Sequence, residues 1–250
     1  MDYYQWQQIK NHYYLGTRNT GPSHALKGDV VIVNILINDL MSNWMYPMHV
    51  AEYQNACNAM ALRLMLDAAR NGTQLLIRSV FCQVNLPMIV DQNCNWLPFV
   101  FGCLGHSDAA SMQRYYESMY SCAEAPVIMA VNRPMRSFAM ADNNRNVMRA
   151  NDEWSVVFRH VHGAFDSNVL THELLHQFGA VDYYYPDVTV NAAWRHFPSS
   201  IMFRDGADID DLTRFLVGWT DDLSPTALAF LRDTASVNEL AILQAKLKGV

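Results

Sequence analysis

The stretch "DVVIVNILI", Asp29 to Ile37, constrains the fold more than any other part of the chain. From Val30 to Ile37, eight residues run with a single polar interruption, Asn34, and most of them are β-branched. A strand with one wet face alternates polar and apolar residues, whereas a strand apolar on both faces belongs to a sheet covered on both sides. The run is far shorter than the 20 or so residues a membrane helix needs. It therefore predicts a buried strand of a two-sided sheet.

The flanking segments extend the pattern. Val50, Tyr53, Cys57, Met60, Leu64 and Ala68 step by 3, 4, 3, 4 and 4, which puts them on one face of a helix. Gly72 in "RNG" suits the end of that helix, and "TQLLIRSVFCQV" follows as a second strand. Strand, helix and strand in this order predict a right-handed parallel crossover. "SDAASMQRYYESMY" predicts a helix with Ser107 as its cap and Asp108 in its first turn, and "APVIMAV" a third buried strand. Residues 86–106 carry Pro87, Pro98 and two glycines and read as an irregular excursion without regular structure. "SFAMA" and "EWSVVFRHV", separated by the polar "DNNRNVMRAND", are expected to pair antiparallel.

Composition narrows the function classes. The 250 residues accommodate one large domain or two small ones, and 51% apolar against 17% charged residues is a globular balance. The net charge of -6, with no basic stripe, argues against a nucleic-acid partner, and no run is long enough for a membrane span. The N-terminus lacks a basic segment followed by an apolar one, so the expected compartment is cytoplasmic, with secretion after removal of a leader as the alternative. Five cysteines without a CxxC pair read as reduced thiols, a Cys94–Cys103 bridge being the other option. Oligomeric state is left open.

The chemistry concentrates in "LTHELLHQFGAVD", residues 170–182. His172 and His176 stand four apart, so on a helix both imidazoles project from one face and reach one ion. Glu173 lies to the side of that face, where a carboxylate can hold a water and accept its proton. A catalytic metal keeps three protein ligands and one open position, and Asp182 is the candidate third ligand. Gly179 can take a positive φ, end the helix and turn the chain back toward the ion. The plain alternative is a solvated helix face bearing two histidines. His160 and His162 read as exposed positions, His196 as packing with Trp194 and Phe197, and the acids of "DGADIDD" as a helix cap.

The pattern His172, Glu173, His176, Gly179, Asp182 resembles the metzincin clan of zinc endopeptidases in its HExxHxxGxxD form, similar to the snapalysin group. "PSSIMF" resembles the clan's methionine turn, with Met202 as the methionine. Two other zincin groups fit less well. The only glutamate after Glu173 is Glu239, far from the motif, and no GTxDxxYG string is present. Many metzincins carry a tyrosine two positions after the turn methionine, where this chain has Arg204, so such help would come from the run Tyr183, Tyr184, Tyr185.

The resemblance implies an α/β, zincin-like fold: a mixed twisted sheet with an antiparallel edge strand near "RSFAMA" and an active-site helix, followed by a smaller helical part. The expected divisions are an arm at 1–28, a subdomain at 29–179 and a helical C-terminal subdomain at 180–250, with helices in "DIDDLTRFLVGW" and "SVNELAILQAKLKGV". It also implies one catalytic Zn2+ on His172, His176 and Asp182, Glu173 as general base and acid, and a protein or peptide substrate. Two further classes stay open: a catalytically silent zinc protein that binds a partner in the cleft, and a zinc hydrolase of a small non-peptide substrate. A silent protein has no chemical need for Glu173, which favours the enzyme.

Overall fold

The computed structural model describes residues 17–19, 21–140, 153–160, 163–184, 187–203 and 206–234. Strand β1 (Gly28–Asn38) is buried on both faces, as its apolar run requires. Val30, Ile32 and Leu36 enter one core, and Val33, Ile35 and Ile37 enter the other. Asn34, fully buried between them, is satisfied: the Tyr53 hydroxyl donates to its Oδ1 at 2.8 Å, and its amide donates to the carbonyls of Ile32 and Val80.

Strand β2 (Leu75–Asn85) runs parallel to β1 from Gly28–Leu75 through Asn38–Asn85, and β3 (Val127–Pro134) lies parallel on its other side. Strand β4 (Phe138–Met140) pairs antiparallel with β5 (Trp154–Arg159), which in turn runs parallel to β3. The order β2-β1-β3-β5-β4 makes a five-stranded mixed sheet whose one antiparallel member lies on the rim. The fold is mixed α/β.

Helix α1 (Pro47–Arg70) opens on a proline, which is preorganised for a first turn. It buries Tyr53, Cys57, Met60, Leu64 and Ala68, the face read from the sequence, with Val50 half-buried at its start. Each large side chain so buried contributes about 1.5–3 kcal/mol. Residues 86–106 are not wholly irregular. Helix α2 (Leu97–Cys103) sits there, with Pro98 in its first turn and Leu97, Val100 and Phe101 buried. Two turns are too short for a helical period to show, and proline and glycine hid them. Helix α3 (Ala109–Tyr120) is capped by Asp108 rather than Ser107; Asp108 accepts from Ser111 N at 2.7 Å and Ser111 Oγ accepts from Asp108 N. None of the five cysteines is in a disulfide.

The remaining helices are α4 (Ser167–Gln177), α5 (Asp187–His196), α6 (Asp211–Leu216) and α7 (Pro225–Thr234). Leu170 and Leu174 of α4 share one core with Leu212, Phe215 and Phe230 of the later helices and with the α1 face of the sheet. Residues 17–19 and 21–28 lie on this body. Leu26 is buried, its N–H donates to the Val217 carbonyl, and its carbonyl accepts from the Trp219 indole. The expected helix in "SVNELAILQAKLKGV" falls outside the described residues, as do Glu239, Arg204, Tyr185, His162 and the arm before residue 17. No helix among the described residues is long and apolar enough to cross a membrane.

Candidate metal centre

Helix α4 is fixed at both ends by local chemistry. Asp166 caps it by accepting from Asn168 N at 2.8 Å. Its last turn closes through Gly179 N to His176 O and Ala180 N to Leu175 O, the paired bonds of a Schellman motif. Gly179 has φ +92, and a Cβ there would come within 2.5 Å of the Thr17 carbonyl. The expected turn is present, and a second constraint joins it: the N-terminal segment packs against the glycine, with Thr17 Oγ1 donating to Gly179 O at 2.6 Å.

The turn brings Asp182 to the two histidines. His172 Nε2 and His176 Nε2 are 3.1 Å apart, and Asp182 Oδ1 lies 3.2 and 3.3 Å from them. A tetrahedral ion with bonds of about 2.0–2.1 Å spaces its ligands by about 3.3 Å, so this triangle is the size such an ion needs. Each imidazole directs Nδ1 at a backbone carbonyl, His172 at Ile201 O and His176 at Ala180 O, both at 2.8 Å. A carbonyl only accepts, so each Nδ1 carries a proton and each Nε2 is the nitrogen left to face the common point. Asp182 Oδ1 is buried and makes no well-formed hydrogen bond. Two ring nitrogens and an unpartnered carboxylate oxygen around one point fit a cation, whether a metal ion or a proton.

The electrostatics agree. Burial alone would lower the affinity of His176 for a proton, but the hydrogen bond and charge of Asp182, then Glu173, hold its pKa up at about 9. Burial would raise Asp182, yet the two imidazoles outweigh it and hold the carboxyl far below the ordinary range. Without a metal, the site retains a proton where a metal would sit.

Glu173 is buried, and burial raises its pKa above the ordinary carboxylate value, with both imidazoles pulling it back. Its ligand atom and those of His172 and His176 all lie within 4.8 Å of one another, so it competes formally for the third position. Asp182 is the better-placed candidate, because its oxygen stands at coordination spacing from both nitrogens. Glu173 is left for another task.

Of the tyrosine run, Tyr184 reaches the site. Its ring stacks on His172 with centroids 5.9 Å apart, and its hydroxyl lies 3.1 Å from His172 Nε2. Burial, then the charges of Asp182 and Glu173, push its pKa far above the phenol range, so it remains a proton donor. Tyr183 is fully buried among Phe197 and Phe230 and belongs to the core. His196 pairs with Asp233 at 2.8 Å and links α5 to α7, where packing against aromatics had been expected; Trp194 meets Phe203 instead. Asp210 caps α6.

Met202 is fully buried in a turn closed by Phe203 N to Ser200 O. Its carbonyl accepts from Tyr183 N at 3.0 Å, which ties the turn to the Asp182 segment, and the neighbouring Ile201 carbonyl holds His172. Two further residues that the sequence did not reveal seat α4 on the sheet. The Gln177 side chain bonds both the N–H and the carbonyl of Val127 and reaches Ser155, whose hydroxyl donates to the Glu173 carbonyl. Compared with family models, curated proteins and solved structures, the chain matches none.

Proposed function

We propose that the chain is a zinc-dependent endopeptidase of the metzincin type, with His172, His176 and Asp182 as ligands and Glu173 as general base and acid. The observation that carries this reading is the triangle of two Nε2 atoms and Asp182 Oδ1, each imidazole oriented from behind by a carbonyl. The antiparallel rim strand beside the motif helix, and the buried methionine turn bonded to the Asp182 segment, support the zincin-like part of the proposal.

When bound, zinc would supply Lewis acidity toward a substrate carbonyl and make a water a nucleophile near neutral pH. The rest falls to the chain. An extended peptide pairs its backbone with the outer rim of β4, which bonds no other strand among the described residues. Glu173 accepts the proton of the attacking water as the new C–O bond forms, and delivers it to the amide nitrogen as the C–N bond breaks. Burial, which raises the proton affinity of Glu173, suits both halves of that shuttle. Tyr184 donates its hydroxyl hydrogen to the oxyanion that develops on the carbonyl.

The test pairs metal analysis with digestion of a peptide library by the parent and by Glu173→Ala. Zinc in both, with cleavage only in the parent, supports the enzyme. Zinc in both without cleavage in either leaves the partner-binding protein or the hydrolase of another substrate, and a parent without zinc overturns the metal centre itself.

A further inference from the structure

One buried carboxylate lies behind the centre and touches none of its proposed ligands. Asp210 is 8% exposed and accepts five hydrogen bonds. Oδ1 takes the N–H groups of Leu212 at 3.0 Å and Thr213 at 2.9 Å, and the Tyr183 hydroxyl at 3.2 Å. Oδ2 takes the hydroxyls of Ser200 at 2.6 Å and Thr213 at 2.7 Å. A helix cap needs only the first two, since a capping side chain satisfies the orphan donors of the first turn. The other three are the Thr213 hydroxyl, which belongs to the same first turn, and the bonds from Tyr183 and Ser200, which reach outside the helix.

Two of those bonds lead to the centre by separate routes. Ser200 Oγ also accepts from Met202 N at 3.0 Å, fixing the turn whose Ile201 carbonyl orients His172. Tyr183 lies between Asp182 and Tyr184, so holding its hydroxyl fixes the stretch that carries one ligand and the phenol beside His172. The routes meet again where Tyr183 N donates to Met202 O. We propose that Asp210 is a positioning residue for the metal centre: through Ser200 and Tyr183 it sets where Asp182 and the His172-orienting carbonyl stand relative to each other. The proposal rests on the zinc reading above. Mutation of groups that orient metal ligands from behind typically costs about 10- to 100-fold in metal affinity.

The experiment uses the full chain loaded with zinc, or with cobalt(II) as a spectroscopic substitute, in Asp210→Asn, Ser200→Ala and Tyr183→Phe. Asparagine caps a helix as well as aspartate and keeps its volume, but replaces the acceptor facing the Ser200 and Thr213 hydroxyls with an amide donor. Zinc dissociation constants are measured by chelator competition at a temperature where each variant shows parental near-ultraviolet dichroism. The expected result is roughly 10- to 100-fold weaker zinc binding in Asp210→Asn, with an altered cobalt absorption band. Ser200→Ala and Tyr183→Phe should each weaken binding by about fivefold, the worth of one hydrogen bond. A purely structural role would lower the melting temperature and leave affinity and spectrum unchanged. If Asp210→Asn does not fold, the two hydroxyl variants decide. Parental zinc affinity and an unchanged cobalt spectrum in both would overturn the proposal, whereas absence of zinc in the parent overturns the centre and with it any role for Asp210.

Discussion

Two buried polar clusters in this molecule are built on opposite rules. Around Asn34, donors and acceptors are matched, with a phenol hydroxyl, a side-chain amide and two carbonyls pairing inside the strand layer. At the turn after α4, two imidazole nitrogens and a carboxylate oxygen crowd within 3.3 Å of one another, and the carboxylate oxygen makes no well-formed hydrogen bond. A satisfied cluster stabilises a fold, while an unsatisfied one costs free energy until something positive arrives. The contrast separates polar residues that the fold itself satisfies from those that the proposed metal would satisfy.

That contrast can be broken most sharply at Glu173. Glu173→Gln should lower kcat by about 10²- to 10⁴-fold, the worth of a general base, while zinc content by elemental analysis stays at the parental level. Loss of zinc along with activity would make Glu173 part of the coordination sphere and overturn the division of roles drawn here. Tyr184→Phe should lower kcat by about 10²-fold with little change in KM, as removal of an oxyanion donor does. A changed KM alone would reduce the phenol to a binding contact.

The matched side of the contrast predicts a different phenotype. Gln177→Leu leaves the N–H and carbonyl of Val127 unpaired in the interior, at about 1–3 kcal/mol for each orphaned group. Urea unfolding should show that loss equally with zinc and with a chelator. If the loss appears only in the zinc-loaded protein, Gln177 acts on the metal rather than on the seating of the helix. The smallest effect concerns pH. His176 in the metal-free chain holds its proton up to about 9, above the ordinary imidazole range near 6.5. Its contribution to stability is therefore complete below about pH 6.5 and fades as pH climbs through 9. Melting curves of chelator-stripped protein should fall over that interval, and those of zinc-loaded protein should not.

Much of this organisation was legible in the residues because it rests on short periods. The both-faced apolar run of β1, the 3–4 spacing of α1, and the two histidines one turn apart follow from local geometry alone. The turn at Gly179 was legible too, since only a few backbone motifs reverse a chain just after a helix. The choice between Tyr183 and Tyr184 was not, because which ring faces the histidine depends on how the segment packs against Phe197 and Phe230. Gln177 and Ser155 were hidden for a related reason. Their partners lie 50 and 18 residues away, and nothing in the neighbouring sequence marks either as a strut. Asp210 was visible as a cap, but its bonds to Ser200 and Tyr183 were not.

The contact between Thr17 and Gly179 spans 162 residues, and that between Leu26 and Trp219 spans 193. A ribosome delivers the first member of each pair long before the second, and loops of such length close slowly. Thr17 and Leu26, made well before their partners, thus dock late, and Thr17 docks on the turn that presents the proposed third ligand. A nascent chain halted before residue 219 would lack the indole that anchors this segment, so the proposed metal centre matures only after Trp219 has been made.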